Sequence, residues 1–238
     1  MKNLLGKCTA TLMFALSTFG AFAFASSGGE GLTPDEALSR LIDGNKRYLE
    51  GKMNSCGEAT ATARQSLAKG QKPYAIILSC SDSRVSPEII FDKSLGEIFV
   101  VRVAGNVPDP IVLGSIEYAA EHLGSPLIMV LGHERCGAVT AAVDAKGKPE
   151  GNIGAIVKAI APAVKLAKKE CKDCSKCDKH DKGKLVECAI DENVKLVAAN
   201  LTRQSSILKK MVKEGKVKIV TAKYDLDDGK VSLFGDKK

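Results

Sequence analysis

Two short clusters place chemically active side chains close together: Cys80-Ser81-Asp82-Ser83-Arg84 and His133-Glu134-Arg135-Cys136. The spacing of His133 and Cys136 lets both reach one metal ion from a strand-to-helix turn. Cys80 offers a second thiolate from the other cluster. Two cysteines and a histidine make a three-ligand zinc set, and catalytic zinc sites use three protein ligands plus one exchangeable position. Water on such a zinc has its pKa lowered to about 7, which supplies a nucleophilic hydroxide near neutral pH. Asp82 could occupy the fourth position itself. Arg84, on the same side of an extended turn, could hold Asp82 away through a bidentate guanidinium–carboxylate pair. Taken singly, these residues have ordinary explanations: a cysteine at a strand end is commonly a small buried hydrophobe, and a lone histidine a hydrogen-bonded structural group. Their coincidence, with charged neighbours, favours a metal site.

Such convergence requires elements that end at both clusters. Short apolar runs at 74–79, 97–103, 126–132 and 217–224 read as strands, with a short edge strand at 231–234. Helices are predicted at 34–50, 110–123, 136–144, 153–169 and 185–214. The first opens on Thr33-Pro34-Asp35-Glu36, a capping box with proline at the first helical position, and Leu38, Leu41, Ile42 and Leu49 follow at helical spacing. Apolar strands alternating with helices indicate an α/β fold: a mostly parallel central sheet flanked by helices, with an N-terminal helical arm. In such sheets sites form at the carboxyl ends of strands, and both clusters directly follow predicted strands.

The motifs Cys-Ser-Asp-Ser-Arg-Val (80–85), Val-Arg-Val-Ala-Gly-Asn (101–106) and His-Glu-Arg-Cys-Gly-Ala (133–138) resemble, in order and separation, those of the β-class carbonic anhydrases. The similarity extends over most of residues 34–234, including Tyr-Asp-Leu-Asp (224–227). The resemblance implies that Cys80, His133 and Cys136 bind Zn2+, and that Asp82 and Arg84 form a dyad that opens and closes the fourth site. It also implies that Gly105 lies near the substrate pocket, that CO2 and bicarbonate are the substrates, and that the functional unit is a homodimer or homotetramer. Two positions depart from the family's marked subtypes. Ile77 stands where members with a non-catalytic bicarbonate pocket carry tryptophan, and Ser94 where plant-type members carry glutamine.

The N-terminus has a separate logic. Lys2 and Lys7 precede an apolar run from Leu12 to Phe24, and Ala23-Phe24-Ala25 supplies small residues at a cleavage spacing. Residues 1–25 therefore read as a secretory signal peptide, too short in its apolar run to span a bilayer. The expectation is an exported, periplasmic protein with no membrane insertion after signal removal, and residues 26–238 forming one domain. Of eight cysteines, Cys8 leaves with the signal. The rest include a cluster, Cys171, Cys174, Cys177 and Cys188 with His180, in a lysine-rich insertion at 171–188. Disulfides, a second metal site and a redox-responsive loop all fit this spacing in an oxidising compartment. Net charge is +7, but aromatics are only 5% and no basic stripe interleaves with them, which argues against nucleic-acid binding.

Zinc-dependent, reversible hydration of CO2 is the leading expectation. A hydrolase of a CO2-like substrate such as carbonyl sulfide would use the same metal chemistry. A non-catalytic zinc-binding or thiol-redox protein would make 171–188 the working part, although a storage site has no need of the Asp82–Arg84 pair.

Overall fold

The computed structural model describes residues 31–54, 60–147, 149, 151–173 and 181–235. Residues 1–25, read above as a signal peptide, Cys56 and most of the second cysteine cluster (Cys174, Cys177 and His180) lie outside them.

The chain opens with α1 (Pro34–Leu49), followed by α2 (Ala61–Leu67), β1 (Ala75–Ser79), α3 (Pro87–Ile90) and β2 (Ile98–Arg102). Next come α4 (Pro110–Glu121), β3 (Leu127–His133), α5 (Gly137–Asp144), α6 (Ile153–Asp173) and α7 (Lys182–Gln204). The chain closes with α8 (Ser206–Lys213), β4 (Lys218–Tyr224) and β5 (Val231–Leu233). The strands form one sheet in the order β2-β1-β3-β4-β5. All pairings are parallel except β4 with β5, as the alternation of apolar runs and helices predicts. No described helix is long and apolar enough to cross a membrane.

Side chains alternate along each strand, and both faces are covered. Ile77, Met129 and Leu131 point to the face packed by Ala37 and Leu41 of α1 together with Ile90 and Phe91. Ile76, Leu78, Ile128 and Val130 point to the other, against Leu113 and Ile116 of α4, Val194 and Val197 of α7 and Leu208 of α8. The capping box of α1 is present: Thr33 accepts from the Glu36 amide, and Glu36 accepts from that of Thr33. This N-terminal helix packs on the sheet and contributes fully buried residues, Ala37 and Leu41, to the core.

The helix predicted over 185–214 is two helices. Ser205 is extended (φ −115°, ψ 114°), and its hydroxyl accepts from the Leu208 amide, which starts α8 in a new direction. A third apolar cluster forms where α5, α6 and α7 meet; it includes Val139, Ile160 and Ile190 and takes in Cys80 and Cys136.

Candidate metal centre

Cys80 immediately follows β1, His133 is the last residue of β3, and Cys136 caps the N-terminus of α5. Because β1 and β3 are adjacent and parallel, Ser79 opposite Leu131, their carboxyl ends bring the two clusters together. Cys80 Sγ lies 4.0 Å from Cys136 Sγ. The donor atoms of Cys80, His133 and Cys136 all fall within 4.8 Å of one another, and all three residues are buried.

The histidine is oriented for ligation. Its Nδ1 lies 2.8 Å from the Glu134 carbonyl, an acceptor only, so Nδ1 carries the proton and Nε2 the lone pair. Nε2 is buried without a hydrogen-bond partner. A buried polar atom left unmatched is costly, and a metal ion is what this lone pair, beside two sulfurs, is suited to meet. The thiols interact strongly. Hydrogen bonding from Cys136, together with the Gly105 amide, draws the Cys80 thiol down to about 4 against the effect of burial. Sharing that proton and burial push the Cys136 thiol up. Two sulfurs and an imidazole nitrogen this close form a donor set that fits one zinc ion.

Asp82 and Arg84 occupy the turn after Cys80. Arg84 donates Nε to Oδ1 at 2.9 Å and an Nη to Oδ2 at 2.8 Å, and its backbone amide donates to Oδ1 at 3.0 Å. These bonds hold the Asp82 carboxyl well below the usual carboxylate range. Asp82 Oδ2 nevertheless lies 3.9 Å from His133 Nε2, at the margin of the cluster. The bidentate pair inferred from the spacing is thus formed. Gly105 sits in a short turn after β2 with φ 71°, and a Cβ there would lie 2.7 Å from Ile160 Cδ1. Its amide donates to Cys80 Sγ at 3.3 Å, which places it within the centre.

Three further residues hydrogen-bond the backbone around the centre without a signal at any short spacing. Arg102, at the end of β2, donates to the carbonyls of Cys80 (3.1 Å) and Asp82 (2.7 Å), clamping the first turn. Its place inside the Val-Arg-Val-Ala-Gly-Asn motif was the only hint. Asn193 of α7 donates to the Gly105 carbonyl at 2.9 Å, and Glu187, also on α7, accepts from the Arg135 amide at 2.8 Å.

Comparison with known proteins agrees with this geometry. The carbonic anhydrase family model matches residues 75–231. Carbonic anhydrase 2 of Mycobacterium tuberculosis is 40% identical over 203 residues, which is 84% of this chain and 92% of that protein. The Coccomyxa β-carbonic anhydrase solved in complex with acetazolamide has a TM-score of 0.65 at 25% identity, covering 83% of this chain and 86% of that one. One of two tetrameric β-carbonic anhydrases from Sordaria macrospora shares the fold, with a TM-score of 0.65 at 21% identity and coverage of 83% and 96%. On the match over its core, the identity to its relatives and the architecture, the chain belongs to the β-carbonic anhydrase family.

Proposed function

We propose that the protein interconverts CO2 and bicarbonate at a zinc ion held by Cys80, His133 and Cys136, with Asp82 and Arg84 controlling access to the remaining position. One observation carries this reading: three buried donors converge from two strand ends, and one of them is a histidine nitrogen with no other partner. Zinc bound there would supply Lewis acidity of the kind that brings the pKa of a water to about 7.

The chain's own residues then have defined tasks. Arg84 binds both Asp82 oxygens, so the carboxylate stays ionised and acts as an acceptor only. From the margin of the cluster it can orient a proton-bearing group that approaches the three ligands, without itself filling the position. Releasing the pair would let Asp82 swing in, so the dyad works as a gate. Arg102 keeps the turn in register by holding two of its carbonyls. Gly105, one hydrogen bond from the Cys80 sulfur, is assigned to the substrate side of the centre, and a Cβ there would press on Ile160 and Ala138.

The family match and a 40% identical relative named carbonic anhydrase favour CO2 over carbonyl sulfide, and catalysis over zinc storage or thiol redox. Assembly as a homodimer or homotetramer is also proposed, supported by the tetrameric Sordaria macrospora enzymes of the same fold. Export to the periplasm rests on the sequence of residues 1–25 alone.

The test is stopped-flow CO2 hydration with Cys80→Ser as control and zinc measured in both proteins. Fast hydration lost together with zinc in the variant is the expected result. Full zinc content in Cys80→Ser would remove that cysteine from the ligand set. A zinc-loaded wild type no faster than the control would point to another substrate, with carbonyl sulfide first in line.

A further inference from the structure

The turn that joins His133 to Cys136 contains an uncommon backbone conformation. Arg135 has φ 49°, in the left-handed region that residues with a side chain avoid. Such strain persists where the surroundings over-determine it, and two contacts do so here. The guanidinium donates to both oxygens of Asp227, at 3.0 and 2.9 Å, on an exposed surface. The backbone amide donates to Glu187 Oε1 at 2.8 Å.

Glu187 is itself braced. Its Oε2 lies 2.7 Å from Lys223 Nζ, which also lies 3.0 Å from Asp191 Oδ1. Lys223 pairs with Gly132 in the ladder between β3 and β4. At Gly132 a Cβ would stand 2.4 Å from Val194 Cγ2. The missing side chain lets α7 approach the end of β3 closely enough for a glutamate to reach the peptide between two metal-ligand candidates.

We propose that Glu187 is a positioning residue of the metal centre: its carboxylate, braced by Lys223, fixes the Arg135 peptide so that His133 and Cys136 present their donor atoms together. The proposal rests on the metal-binding reading above. The Asp227 pair does not duplicate the task. It grips a side chain in water, where ion pairs contribute little, whereas Glu187 takes a charge-assisted bond from the peptide whose conformation sets the turn.

The test compares zinc-loaded wild type, Glu187→Ala and Glu187→Gln in zinc release to a chelator and in the visible spectrum after cobalt(II) substitution. Urea unfolding of each metal-free protein is measured alongside. Glu187→Ala should weaken zinc retention about 10–100-fold, the usual consequence of losing a partner that orients a ligand, and shift the cobalt spectrum. Glu187→Gln keeps an acceptor for the Arg135 amide and should restore most of the retention and the wild-type spectrum. The metal-free midpoints should stay close together. Wild-type retention and spectrum in Glu187→Ala would overturn the proposal. So would a fall in metal-free stability large enough to account for the zinc loss, because the role would then be structural only. A wild type that takes up no zinc dependent on Cys80 would overturn the metal reading itself and this one with it, and is told apart by its showing in the unmutated protein.

Discussion

Replacing Gly105 with alanine separates two kinds of strain at the centre. The residue has φ 71°, where a Cβ costs about 1–2 kcal/mol in left-handed backbone. The new methyl would also lie 2.7 Å from Ile160 Cδ1 and 3.3 Å from Ala138 Cβ. Overpacking of this kind costs about 1–3 kcal/mol, so Gly105→Ala should destabilise by about 2–5 kcal/mol in total. Ile160 is fully buried, and Ile160→Val removes the atom in the way at a cost of about 0.5–1.5 kcal/mol. In the double variant the clash is relieved while the backbone strain stays. Its loss should therefore be smaller than the sum of the two single losses by about 1–2 kcal/mol. Urea unfolding of the four proteins measures this. Additivity within about 0.5 kcal/mol would show that the alanine does not meet Ile160. A Gly105→Ala loss under about 1 kcal/mol would show that the turn adapts to a Cβ. Because the same residue's amide donates to Cys80 Sγ, zinc retention should weaken in the single variant and partly recover in the double.

Other outcomes follow from the same geometry. Arg84→Ala frees Asp82 from its two guanidinium bonds, so CO2 hydration should fall while zinc content, measured by metal analysis, stays at the wild-type level; loss of zinc would contradict the gating role. Because Arg84 depresses the Asp82 carboxyl in the folded state, the pair stabilises the fold above the ordinary carboxylate pKa of about 4, and that contribution fades as pH falls toward the depressed value. Asp82→Asn should therefore lose less stability than wild type on acidification below pH ~4, and identical acid-unfolding profiles would refute the linkage. Asn45 is buried and bonds the carbonyls of Ile90 and Gly229 and the amide of Val231. Asn45→Ala leaves those groups unmatched and should cost about 3 kcal/mol in thermal or urea unfolding; a loss under about 1 kcal/mol would mean other partners replace it.

The sheet was legible because its strands are apolar on both faces and bounded by polar turns, so β1, β3 and β4 lie within one or two residues of where the apolar runs put them. The centre was legible because Cys80, His133 and Cys136 stand at or next to strand ends, where parallel topology forces convergence. The split at Ser205 was hidden by continued helical periodicity on both sides, and only the Ser205-Ser206 pair carried a capping signal. α2 and α3, at seven and four residues, are too short for a periodic pattern to emerge. Arg102, Glu187 and Asn193 escaped notice for another reason. Each acts on a backbone atom far along the chain, 88 residues away for Asn193, so no local spacing records the contact.

The placement of the two sulfurs, 56 residues apart and just beyond the ends of neighbouring parallel strands, makes the centre a product of long-range folding. Closing a loop of that length costs an open chain roughly 3–4 kcal/mol in entropy before any ligand is shared. An unfolded chain would thus hold zinc far less well than the native one, and zinc bound at the proposed site would stabilise the native state in proportion to the logarithm of its concentration. On that reading zinc supply and thermal endurance would become a single variable, with the melting temperature climbing as free zinc rises. Chelation would return the protein to the stability its hydrophobic layers provide alone.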